Sequence, residues 1–140
     1  MPLIGVVEIN LAAEKMVEKK DKDLKSLWEM TMASIIAKTP VDTGATRSNW
    51  FYKVGSASTK EIKHKSSAKG IPMPSMPRVE GTMFNKTHYL TNNTIQAPML
   101  EFGGYVPKNS KKVVGGFSHL APKGWVRKRV LKLRQAVKKL

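Results

Sequence analysis

Residues 39–50 read "TPVDTGATRSNW", and the way this stretch is taken decides what the residues on either side of it build. From about Asn10 to Lys38 no Gly or Pro interrupts the chain, and Val17, Leu24, Trp28, Thr31 and Ile35 recur at spacings of seven, four, three and four, with Leu27 beside them. That period lays them along one stripe of a long helix, and Lys15, Glu18, Lys19, Lys22, Lys25 and Glu29 fall on the opposite face. Pro40 stops the helix, because a residue before proline is pushed out of the helical region and proline itself has no amide donor. Beyond the stretch, Trp50, Tyr52 and Val54 alternate with Phe51 and Lys53, which is the period of a strand. The quoted residues are therefore a junction between helix and sheet. Gly44 is expected at a tight or left-handed turn. Asp42 is expected to cap a short second helical segment by accepting bonds from free amides two and three residues on, worth about 1 kcal/mol, so Asp42→Ala should lower thermal stability.

Working outward, residues 55–81 carry Ser, Lys, Gly and three prolines with little periodicity and read as a flexible basic arm, with Met73 and Met76 interleaved among prolines. Residues 82–106 read as two or more strands: Met83, Tyr89 and Leu90 suit a sheet, Asn92 and Asn93 a turn, and Met99 to Phe102 a further short strand ended by Gly103 and Gly104. A glycine-rich basic loop follows at about 105–121. The last element runs from Pro122, favourable as a first helical residue, to Leu140, and Val126, Val130, Leu133, Val137 and Leu140 form its apolar seam. Around that seam stand Lys123, Arg127, Lys128, Arg129, Lys132, Arg134, Lys138 and Lys139, with no acid. The expected architecture is a single α+β domain over residues 1–140, with a long N-terminal helix and a basic C-terminal helix packed on a small antiparallel sheet with long loops.

Composition narrows the function. The chain has 140 residues, no cysteine and a formal net charge of +15; disulfides, thiolate metal sites and cysteine nucleophiles are excluded, and an intracellular origin suits the sequence. Residues 1–42 hold six Lys and seven acids, while residues 43–140 hold nineteen Lys or Arg against three acids. A field so lopsided favours an anionic partner. No window approaches the apolar length of a membrane span, and no export signal is evident.

Asp42-Thr43-Gly44-Ala45 also spells the tetrapeptide that carries the catalytic aspartate of aspartic proteases. That chemistry needs two carboxylates roughly 3 Å apart sharing a proton, and the tetrapeptide there follows an apolar strand, whereas here it follows a long helix and a proline stop. His64, His88 and His119 lack the paired spacing of metal ligands, and the chain has no nucleophile elbow and no phosphate-cradling loop. No cofactor or metal is expected, and a catalytic role is not.

The order of parts resembles the tailed-phage neck and tail-completion (head–tail joining) family over about Leu11 to Val137. The markers are Thr39, Pro40, Val41, Asp42, Thr43, Gly44 and Arg47 with Trp50 just after, then Glu101-Phe102-Gly103, then the helix start from Pro122 to Val130. This chain departs from the family pattern at Gln96-Ala97-Pro98, where members often carry an aromatic, and in the length of the arm. The resemblance implies an α+β fold and a virion protein at the head–tail junction, assembled in the host cytoplasm as a homo-oligomeric ring around the DNA passage. The partners expected are a portal-side adaptor and tail terminator or tail-tube proteins, with non-specific contact with DNA and no membrane. Pro40, Asp42, Thr43, Gly44 and Arg47 are then the structural turn, and Trp50, Glu101, Phe102 and Gly103 are candidate interface residues, with Arg47 and Glu101 candidates for an ion pair.

Lys123, Arg127, Lys128, Arg129, Lys132 and Arg134 are candidate contacts to an anionic partner. They also support an alternative, a nucleic-acid-binding protein that uses the basic C-terminal helix; about six phosphate contacts would give a salt slope near −5 on logarithmic axes. No zinc finger or helix-turn-helix accompanies the helix, and Trp125 is its one aromatic.

Overall fold

A computed structural model describes residues 2–65 and 67–140, with side chains from Glu14 onward. The uninterrupted N-terminal pattern folds as one helix, α1, over Pro2–Ala37. It absorbs the apolar opening that precedes Asn10 in sequence. Among its described side chains the buried ones are Met32, Ile35 and Ile36, whereas Val17, placed in the stripe by period alone, is exposed. Among the residues whose side chains are described, 14–20 are exposed throughout and contact with the returning chain begins at Asp21.

After the junction and a single 3₁₀ turn at Arg47–Asn49, strand β1 (Trp50–Val54) forms where the alternation placed it. It pairs antiparallel with β2 (His88–Asn92), Tyr52 opposite Leu90. Met83, expected in a strand, instead lies in a turn whose amide donates to the Asp21 carboxylate.

The residues from Gln96 to Phe102 are a short helix, α2, and not the strand expected at Met99 to Phe102. Gln96, Ala97, Met99, Leu100 and Glu101 are good helix formers, and Pro98 falls in the first turn, where its missing donor costs nothing. A run of four residues, Met-Leu-Glu-Phe, is too short to separate strand from helix by period. Gly103, at φ +81°, ends α2 with its amide bonded to the Met99 carbonyl.

The loop expected at 105–121 contains a small hairpin, β3 (Val113–Val114) with β4 (Phe117–Ser118), so the sheet content is two separate two-stranded ladders. The basic helix, α3, spans Val126–Lys138 and starts four residues later than Pro122. Gly124, at φ +73°, turns the chain just before it. α3 packs along α1: the Trp125 indole donates to the Ile35 carbonyl at 3.0 Å and the Arg129 guanidinium to the Ser34 hydroxyl at 3.2 Å. The result is α+β, with the central cluster formed by Leu100, Ala121 and Trp125 and bordered by Trp50, Tyr105 and Val126. No helix among the described residues is long and apolar enough to cross a membrane.

Candidate functional site

The junction after α1, the C-terminal end of α2 and the start of α3 come together at one place. Thr39 begins it. Its hydroxyl donates back to the Ile35 carbonyl at 2.8 Å and accepts the Trp50 indole at 2.8 Å, so the side chain that closes α1 also fixes the first residue of β1. Trp50 in turn meets Trp125 edge to face, with centroids 6.5 Å apart and planes at 83°, a preferred aromatic geometry.

Between Thr39 and Trp50 the chain makes the turn that Gly44 was expected to require. Gly44 sits at φ +94°, and a Cβ built there would lie 2.5 Å from the Ile71 carbonyl oxygen. Position 44 thus excludes a side chain twice over, by backbone conformation and by the arm crossing against it. The Ile71 amide donates to the Thr43 carbonyl at 2.9 Å, which is why the arm runs so close.

Asp42 does not cap. It is exposed and makes no hydrogen bond among the described residues; the turn hydroxyl is that of Thr43, which accepts the Ala45 amide at 3.2 Å. The helical segment starts too late to be reached from Asp42, at Arg47, with Thr46 before it. Pro40 and Val41 simply carry the chain outward.

The residue that latches the junction is Asn49, which sequence reading passed over. It is 0% exposed, and its amide donates to the carbonyls of Ala45 (2.8 Å) and Ile62 (3.1 Å) while its oxygen accepts the Ile62 amide at 2.6 Å. A buried amide satisfied on both sides joins the turn to the arm. In the sequence it looks like one more turn asparagine beside Ser48, and no local signal marks it.

Glu101 is the second organising residue. It is 5% exposed; Oε2 accepts the amides of Trp125 (2.7 Å) and Val126 (2.8 Å), and Oε1 accepts the Arg127 amide and side-chain Nε, both at 2.9 Å. Arg127 also donates to the Glu101 carbonyl at 3.0 Å. A carboxylate from α2 therefore satisfies the free amides at the start of α3, with the helix dipole adding to the attraction. Burial pushes the Glu101 carboxyl up, but the bonds from Arg127, Trp125 and Val126 together outweigh it and hold the group below the usual glutamate range.

Gly124 makes room for this: a Cβ there would stand 2.5 Å from the Glu101 carbonyl oxygen and 2.6 Å from Oε2. The expected Arg47–Glu101 pair does not form, because Glu101 is engaged by Arg127; Arg47 Nε is buried with no partner among the described residues.

Compared with protein-family models, curated proteins and solved structures, the chain matches none.

Of the candidate interface residues, Trp50 and Glu101 face inward and Gly103 supports the Phe117 ring, within 3.2 Å of where its Cβ would be. Phe102 is 64% exposed, with the Arg127 guanidinium 4.8 Å over its ring. Of the candidate anionic-partner contacts, Arg127 bonds to Glu101 from an exposed position and the half-buried Arg129 bonds to Ser34. Lys123, Lys128, Lys132 and Arg134 are exposed. A cleft of about 480 Å³ opens between the junction and the β3–β4 hairpin, lined by Asp42, Leu100, Tyr105, His119 and Leu120 among others. Asp42 is its one carboxylate, so the cleft offers no second acid to share a proton with it. No cluster of three or more His, Asp or Glu stands at metal-binding positions among the described residues.

The arm, residues 55–81, is bonded to the body along its length, Ser66 lying outside the described residues. The Ser48 hydroxyl and His64 Nε2 share a bond of 2.9 Å, the Asn93 amide donates to the carbonyls of Ser58 and Lys60, and the Val79 amide donates to the Glu29 carboxylate at 2.7 Å. Just beyond it, Asp21 accepts the Thr82 hydroxyl and the Met83 amide. Glu29, from the face of α1 that reads as solvent-facing in the sequence, and Asp21, which falls within the stripe of Val17, Leu24 and Trp28, therefore supply two carboxylates that hold the chain returning to β2.

Proposed function

We propose that the chain is a structural virion protein of the head–tail junction of a tailed phage, acting in tail completion or head–tail joining as one copy of a ring around the DNA passage. The observation that supports it is the convergence just described. The three segments that carry the resemblance, Thr39–Trp50, Glu101–Gly103 and the start of α3, lie up to 91 residues apart in sequence. They are joined by the Thr39–Trp50 bond, the Trp50–Trp125 contact and the Glu101 cap. Strings with one architectural purpose would be linked in this way; strings alike by accident need not meet.

Around that centre the chain presents the exposed Phe102, exposed residues of the arm and the exposed hairpin loop. A ring needs two unlike patches that meet head to tail with a closing rotation. The partners on this reading are a portal-side adaptor and tail terminator or tail-tube proteins, and the role is architectural. Removing the gene from the genome that encodes the chain should yield separate heads and tails, or tails with abnormal ends, by negative-stain microscopy, and supplying it in trans should restore joined particles. Normal infectious virions without the chain would refute the proposal.

A further inference from the structure

We propose that the solvent face of α3 is a sequence-independent grip on the phosphates of duplex DNA, formed by Lys128, Lys132, Arg134 and Lys138. These four side chains are exposed, and neither α3 nor the turn leading into it contains an acid. The structure separates them from the other cations of the helix. Arg127 is held by Glu101, and Arg129 bonds to Ser34 and to the Trp125 carbonyl at 3.4 Å. Of the apolar seam, Val126, Val130 and Leu133 are half-buried where α3 runs along α1, while Val137 and Leu140 at its end are exposed, as the four cations are.

From Lys128 to Lys138 the helix rises roughly 15 Å. Duplex DNA places a negative charge about every 1.7 Å of axis, so a cationic face of that length lies over several phosphates at once. Two features favour duplex DNA over other polyanions. Trp125, the one aromatic among residues 122–140, is buried edge to face against Trp50, and the exposed Phe102 ring beside the start of α3 belongs to α2 and is covered by Arg127, so the outward face of α3 itself carries no platform on which single-stranded bases could stack. Protein–protein interface cores are depleted of charge and rich in aromatics, whereas the exposed apolar residues among these cations are Leu131 and Val137, and apolar side chains exposed singly are ordinary.

The inference rests on the head–tail reading only for where DNA would be met, and its test uses the purified full chain with naked DNA, so that either can fail alone. Binding to short labelled duplexes of two unrelated sequences is measured across a salt series. The expected result is equal affinity for both and a log–log salt slope of roughly −4, from four phosphate contacts. The triple variant Lys128→Gln/Lys132→Gln/Arg134→Gln should reduce the slope to roughly −1, while a charge-matched control, Lys65→Gln/Lys69→Gln/Lys111→Gln, should leave it unchanged. Thermal melts establish that each variant folds; if the triple does not, Lys132→Gln and Arg134→Gln singly should each lower the slope by about one. The proposal is overturned by absence of duplex binding at low salt, by a triple variant that binds like the parent, by an equal loss in the control, or by preference for single strands.

Discussion

Gly44 and Asp42 stand two residues apart and contribute unequally to the turn they share. Gly44 is held at positive φ beneath the Ile71 carbonyl, so Gly44→Ala should cost about 2 kcal/mol in denaturant melts, through backbone strain and the displaced arm. Asp42 is exposed and unbonded, and Asp42→Ala should stay within about 0.5 kcal/mol of the parent; equal losses from the two substitutions would return the cap to Asp42. Glu101 carries the corresponding weight elsewhere. Glu101→Gln keeps the shape but opposes an NH₂ to backbone donors, and a loss of about 2 kcal/mol is expected. The sign of its pH dependence follows from a carboxyl held below its unfolded value. The stabilisation is complete above the unfolded glutamate pKa and is lost as pH falls through the lower, folded one. Acid titration of stability should therefore be shallower in Glu101→Gln than in the parent. Gly44 was legible in the sequence because its requirement is local, a glycine in a helix-to-strand turn. Glu101 was visible only as part of a short string, since the amides it caps belong to residues 125–127.

Among the elements, α1, β1 and α3 follow from periodicity, because each repeats long enough for one period to exclude the other. α2 did not, as seven residues with a proline in them satisfy either template until the Gly103 turn and the burial of Leu100 and Glu101 choose the helix. The start of α3 moved from Pro122 to Val126 for a related reason: the cap is supplied from α2 rather than by the preceding residues, and Gly124 turns the chain to admit it. The arm shows the same limit, since its composition names a loop but not the side chains that fasten it. Asn49→Ala removes the paired bonds to Ile62 and should both destabilise the fold by about 2–3 kcal/mol and accelerate tryptic cleavage between Lys60 and Lys69. Cleavage of that segment at the parent rate would mean that the Asn49 latch does not restrain it.

Over the whole molecule, α3 is joined to α1 by Arg129 at Ser34 and by Trp125, which serves both the core and the site. Trp125 donates to Ile35, packs on Trp50 and offers its amide to Glu101. Trp125→Ala should cost about 3–5 kcal/mol, and the losses of α3 helicity and of Trp50 fluorescence change should coincide in a single thermal transition; α3 melting separately would show that the helices are not one cooperative unit. The sequence alone determined the two long helices, the first strand, the glycine turn and the excess of positive charge in residues 43–140, because each is written in residues close together or in a period sustained over several turns. The tertiary structure decided that Asp42 is idle, that Asn49 and Glu101 organise the junction, that α2 is helical and that Arg127 and Arg129 of α3 are bonded to Glu101 and Ser34. Those outcomes depend on which distant backbone amides and carbonyls a side chain meets, and a polar side chain satisfies whichever partner the packed chain brings to it.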